Sequence, residues 1–141
     1  GQNHGWKEPY YYTYKGETLP VMHSHKADFH SVGYIWFAPD HVRCWRKDLY
    51  VELGGHSKED WICDDANLLV KTYLATKMHH IEECLYIYRI TGNNTWASSE
   101  RNCIIQEKNK IICHDNITEL DKKDSISNGL ELVELGGGRT P

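Results

Sequence analysis

Two adjacent carboxylates, Asp64 and Asp65, open an apolar-periodic run, with Trp61 just before them and Gly54-Gly55 further back. An Asp in that place has a plain structural use. It caps the first backbone N–H groups of a helix, and a negative charge suits the positive end of the helix dipole. Two in a row allow a division of labour, one carboxylate capping while the other faces a pocket. A carboxylate beside an indole is suited to sugars. It can accept a hydroxyl proton while the aromatic ring stacks on the apolar face of the sugar. A weak base is adequate where the leaving group departs early and the nucleophile loses its proton late.

The elements that must position this pair can be read from periodicity. Ala66, Leu69, Val70, Tyr73 and Leu74 fall on one helical face, which predicts a helix over about 64–75. Residues 81–90 form a β-rich run ending in Tyr88-Arg89, followed by a Gly92-Asn93-Asn94 turn. Residues 31–38, Ser-Val-Gly-Tyr-Ile-Trp-Phe-Ala, read as the strongest strand, apolar on both faces as in a strand covered on both sides. The expectation is one sheet holding 31–38 and 81–90, with the 64–75 helix packed on it. A short helix over 42–53 places Trp45, Leu49 and Leu53 together, and Gly54-Gly55 stops it. Arg43, Arg46 and Lys47 make its start basic, which suits a solvated face or, alternatively, an anionic ligand.

Towards the N-terminus, residues 10–14 and 18–23 read as two strands joined by a Lys15-Gly16-Glu17 turn. Residues 98–114 predict a second long helix, with Ile104, Ile105, Ile111 and Ile112 to one side. Residues 115–128 are polar and read as a linker, and 130–135 turn apolar again.

A chain of 141 residues suffices for one domain with a modest core. With 16 basic and 20 acidic residues, its formal charge of −4 provides no general basic footprint for nucleic acid. No run approaches the roughly 18 apolar residues of a membrane span. Five cysteines, an odd number without Cys-x-x-Cys, argue for reduced thiols and a cytoplasmic setting rather than a disulfide framework or structural zinc. Asn93-Asn94-Thr95 and Asn116-Ile117-Thr118 match the glycosylation pattern. His23-Ser24-His25, with His30 nearby, invites a metal reading. No acidic or Cys ligand stands at matching spacing, so these read as surface histidines.

Arg46-Lys47-Asp48-Leu49, Leu53-Gly54-Gly55-His56, Asp64-Asp65 and Leu85-Tyr86-Ile87-Tyr88-Arg89 occur in that order over roughly 30–114. This ordered set resembles the C-terminal, acceptor-side half of inverting family 2 glycosyltransferases of GT-A fold. The resemblance implies a partial GT-A-like α/β fold, a mixed sheet with packed helices. It also implies transfer of a sugar from a nucleotide-sugar donor to an acceptor hydroxyl, the acceptor being a saccharide or another hydroxyl compound. The family's general base is the second acid of the pair, here Asp65, with Asp64 in support. Trp61 would lie near the acceptor and Arg89 near the donor diphosphate, and Tyr88 would also bind substrate. His56 stands where the family has Phe, Asp64 where it has Glu, and Thr91 where many relatives have His. The Asp-x-Asp that binds Mg²⁺ or Mn²⁺ in the family is absent, so the metal's ligands fall outside this chain and no cofactor is expected on it. The chain is therefore expected to be a fragment without the donor-binding half, inactive alone and open to self-association.

The tail Leu132-Val133-Glu134-Leu135-Gly136-Gly137-Gly138-Arg139-Thr140-Pro141 resembles the first motif of class I S-adenosylmethionine-dependent methyltransferases, a strand running into a Gly-rich turn. The expected organisation is a Tyr/His-rich entry segment over 1–30, a glycosyltransferase-like acceptor half over 31–114, and a linker with a Gly-rich tail over 115–141. The alternatives are a non-catalytic carbohydrate-binding or interaction module, and a junction between a glycosyltransferase and a methyltransferase.

Overall fold

The structure, a computed structural model, describes residues 10–136, and side chains as far as residue 127. It is mixed α/β: a two-stranded antiparallel hairpin and a set of helices. The hairpin pairs β1 (Tyr10–Tyr14) with β2 (Glu17–Val21), Tyr10 opposite Val21 and Tyr14 opposite Glu17. Its turn carries positive φ at both central residues, Lys15 at 50° and Gly16 at 82°. That is the type I′ geometry that matches strand twist, and Gly16 is the residue that adopts it without strain. The strand pair expected here is thus present, but among the described residues it packs on none of the helices.

The core lies between three helices. α1 (Phe29–Tyr34) replaces the strand expected over 31–38. The reason is local. Asp28 accepts the Ser31 N–H at 2.7 Å, and Ser31 Oγ accepts the Asp28 N–H at 3.0 Å, a reciprocal cap that commits the chain to a helical turn. Ser31, Val32 and Gly33 are buried because α1 packs against two other helices, while 35–38 follow it as a turn with Ala38 buried, so the apolar run is not a central strand.

α2 (Lys47–Glu52) is shorter than the helix expected over 42–53. Residues 42–46 are committed elsewhere. The Arg43 guanidinium donates to the Pro39 carbonyl at 2.6 Å, and the Trp45 indole N–H donates to Thr72 Oγ1 at 2.8 Å.

α3 (Asp64–Ala75) has the predicted bounds and buries Ala66, Leu69, Val70 and Tyr73 as the periodicity requires. It also buries Leu68 and Thr72, because a loop covers its second side.

After a 3₁₀ turn at Thr95–Ala97, α4 (Ser99–Gly136) runs through the stretch read as a linker. Ile105, Cys113 and Leu120 form its buried stripe, whereas Ile111, expected to share it, is exposed. The polar stretch stays helical because one fully buried residue, Leu120, is enough to hold that turn on the core. Leu120 joins Val32 of α1 and Val70 and Tyr73 of α3 in one cluster. Leu→Ala in such a setting typically costs about 2–5 kcal/mol. The backbone of 132–135 continues α4 and is not the strand that the methyltransferase motif requires. Residues 137–141, the rest of that motif, lie outside the described residues.

Residues 81–90, expected to be a strand, join no ladder. From 77 to 93 the described backbone makes no backbone–backbone hydrogen bond, and every side chain of 81–90 is exposed. A strand exists only through its neighbour, and among the described residues neither hairpin strand bonds backbone to this segment. The single sheet expected to hold 31–38 and 81–90 is therefore not formed.

Candidate functional site

Around the first turn of α3 lies an open groove of about 290 Å³, lined by His41, Val42, Arg43, Trp45, His56, Asp64 and Asp65. Three stretches of chain build it. The acid pair comes from α3, where Cys63 is the N-cap residue, in left-handed backbone geometry at φ 61° and without a side-chain cap bond. Asp64 and Asp65 are therefore the first two helical residues and neither caps the helix, contrary to the simplest reading of the pair. Their charges still sit at the positive end of the helix dipole.

His56 is placed by the Gly-Gly break. Gly54 and Gly55 both have positive φ, at 85° and 63°. A Cβ on Gly55 would stand 2.7 Å from the Tyr50 ring, so the ring can fold over the break only because no side chain is there. Tyr50 Oη then accepts the His56 N–H at 3.0 Å and lies 2.9 Å from His56 Nδ1. The Trp45 ring packs edge-on to both, 6.1 Å from Tyr50 and 5.7 Å from His56. Its indole N–H is tied to Thr72, whose hydroxyl in turn donates to the Leu68 carbonyl at 2.7 Å. The aromatic wall of the groove is thus pinned to α3 itself.

Arg43 closes the opposite side. Its Nη1 donates to Asp65 Oδ2, and its Nε and Nη2 donate to the Pro39 and Phe37 carbonyls. The guanidinium read as solvated, or as facing an anionic ligand, has Asp65 as its anion. His41 sits next to this pair, and burial pushes its imidazole below the ordinary 6.5. The Arg43 charge pushes the same way, while Asp65 and Asp40 pull back.

The other expected site residues are distributed unevenly. Tyr88 reaches the rim of the groove through His41, their rings 6.5 Å apart. Its hydroxyl accepts the Trp96 indole N–H at 2.8 Å. The Arg89 side chain is exposed, with no ion pair or hydrogen bond among the described residues. Trp61 is 73% exposed and does not line the groove; Trp45 supplies the indole there. His41, Trp45 and His56 were not singled out for chemistry in the sequence. The available signal was the His directly after Gly54-Gly55.

Behind the groove, burial pushes the Cys63 thiol up to about 11, with Asp65 adding to the effect. It is a thiol near neutral pH and not a nucleophile. The histidines that invited a metal reading go separate ways. His23 packs on Tyr10, His25 contacts Asp40 at 3.3 Å, and His30 stacks on Tyr34. Among the described residues no group of three His, Cys, Asp or Glu side chains is placed to hold a metal ion. No described helix is long and apolar enough to cross a membrane. The arrangement offers a carboxylate, an aromatic wall and two imidazoles around one open groove. No family model matches the chain, and no curated protein or solved structure matches it either.

Proposed function

We propose that the groove is the acceptor site of an inverting, GT-A-like glycosyltransferase, with Asp65 as the general base. The observation that carries this reading is the juxtaposition of Asp65 with the fixed indole of Trp45 in one open groove. An acceptor sugar stacked on the indole would bring a hydroxyl to the carboxylate. Asp65 would take the hydroxyl proton as the oxygen attacks the anomeric carbon of the donor, and the anomeric C–O bond would break with the nucleoside diphosphate leaving. Arg43 holds one carboxylate oxygen, Oδ2, which leaves Oδ1 for the acceptor. Asp64 would support the charge, and Tyr88 and Arg89 would lie towards the donor diphosphate. The Mg²⁺ or Mn²⁺ of such enzymes would be held by residues outside this chain, whose sequence has no Asp-x-Asp.

The Arg43–Asp65 pair itself favours a second reading, a saccharide-binding module without catalysis. A carboxylate already paired with a guanidinium is a better hydrogen-bond acceptor for a ligand hydroxyl than a base. One pair of measurements separates the two. Saccharides titrated into this chain and followed by tryptophan fluorescence report binding, and both readings expect Asp65→Asn to weaken it. Transfer from nucleotide sugars, measured in a protein that joins this chain to a donor-binding half, reports catalysis. Only the transferase reading expects turnover there, and it expects none from the chain alone.

A further inference from the structure

The segment over 81–90 is a continuous run of exposed, largely apolar side chains on backbone outside any ladder. Ile81, Leu85, Tyr86, Ile87, Tyr88 and Ile90 are all exposed, from 46% for Tyr88 to 69% for Ile90. Among the described residues, none of the backbone groups from 77 to 93 is bonded to other backbone. Tyr86 and Tyr88, two residues apart, both lie against the His41 ring, at 6.0 and 6.5 Å. That spacing is the period of an extended chain, whose alternate side chains point to opposite sides. The intervening side then carries Glu83, Leu85, Ile87 and Arg89. Neither Glu83 nor Arg89 has a side-chain partner within the chain among the described residues, whereas Glu82 lies 3.8 Å from Lys26.

We propose that residues 81–90 pair antiparallel with the same segment of a second copy of this chain, about a two-fold axis at Tyr86. The order acid, apolar, apolar, base is complementary to itself when reversed. With Tyr86 opposite Tyr86, Leu85 faces Ile87 and Glu83 faces Arg89, each contact occurring twice, as a two-fold interface requires. Opposite charges and apolar pairs directly across an antiparallel ladder are the contacts that stabilise it. The ladder gives partners to the N–H and C=O groups of this segment, of which only the Arg89 carbonyl, accepting from Asn94 Nδ2 at 3.1 Å, has one among the described residues, and such pairing is the ordinary fate of an uncovered edge. A single strand pair is a small interface, so the association is concentration-dependent. The pairing can be tested on the chain by itself, without a donor-binding half, although it engages Arg89, which the transferase reading directs towards the donor diphosphate.

Sedimentation velocity over a concentration series tests it, with far-UV circular dichroism confirming that each variant is folded. Wild type is expected to move from monomer to dimer as concentration rises. Glu83→Arg and Arg89→Glu should each abolish the dimer, and the two combined should restore it. The register has its own test in a Cys44→Ser, Cys84→Ser, Cys103→Ser background, which removes the exposed thiols. There Tyr86→Cys should form an intermolecular disulfide under mild oxidation, because directly opposed residues sit about 4.5–5.5 Å apart between Cα atoms, within disulfide reach. Leu85→Cys should not pair with itself. A wild type that stays monomeric overturns the proposal. So does an association that the charge swap leaves untouched, or cross-linking through Leu85→Cys but not Tyr86→Cys.

Discussion

At its C-terminal end α3 hands its last carbonyls to a single side chain. The Lys123 ammonium, reaching across from α4, donates to the carbonyls of Tyr73, Leu74 and Thr76, and it lies 4.8 Å above the Tyr73 ring. At its N-terminal end the same helix has no side-chain cap, a left-handed Cys63 and two carboxylates open to a groove. One end is closed by a cation that suits the helix dipole and meets orphan carbonyls. The other keeps Asp64 and one oxygen of the Arg43-paired Asp65 facing the groove. A helix end that is finished contributes stability, and a helix end left open leaves groups free for a ligand.

Substitutions at the two ends should therefore differ in size. Lys123→Met keeps the long apolar stem over Tyr73 but removes the ammonium, leaving partly buried carbonyls without a donor. A loss of about 1–3 kcal/mol is expected, read as a lower urea midpoint with unchanged slope. Asp64→Ala at the open end removes no cap bond, only a charge in the first turn. About 0.3–1 kcal/mol is expected, and this should shrink in high salt. A loss at Asp64 as large as that at Lys123 would erase the distinction between the ends.

The smallest effect concerns pH at the open end. His41 is held below its ordinary value of 6.5 when folded, chiefly by burial, so the unfolded chain binds its proton more readily. Its contribution is complete above the unfolded value and is lost as pH falls through and below it towards the folded value. His41→Phe preserves a ring for Tyr86 and Tyr88 while removing the titration. Melting temperatures followed from about pH 8 to pH 5 should fall less steeply for this variant than for wild type. Parallel curves would mean that His41 is not the titrating group.

The parts of this architecture legible in the sequence were those fixed by local pattern. The bounds of α3 follow from its apolar period, and the hairpin follows from a Gly-containing turn between a Tyr-rich run and a Thr-Leu-Pro-Val run. The acid pair was visible for the same reason, since it stands at a helix start. What could not be read depended on distant partners. The apolar run at 31–38 suits a covered strand as well as a wedged helix, and only the Asp28–Ser31 cap decides between them. The run at 81–90 has strand chemistry but no neighbour in the chain to make it one. The polar run at 115–128 looks like a linker unless Leu120 is known to fill the core. In the groove, Arg43 meets Asp65 across 22 positions of sequence, and Trp45 reaches Thr72 across 27, so neither contact has a local signature. The indole expected beside the carboxylate was Trp61, the nearer in sequence; folding supplies Trp45 instead.

The claim that the open end of α3 is where chemistry happens rests on Asp65. Its most direct test is the rate of sugar transfer by Asp65→Asn in a protein that unites this chain with a nucleotide-sugar-binding half. Asn keeps an oxygen for Arg43 to bond, so the groove can retain its shape while the basic carboxylate is lost. Turnover is expected to fall about 10²–10⁴-fold with the far-UV spectrum unchanged. Turnover equal to wild type would contradict the account, and would leave Asp65 as the structural partner of Arg43 alone.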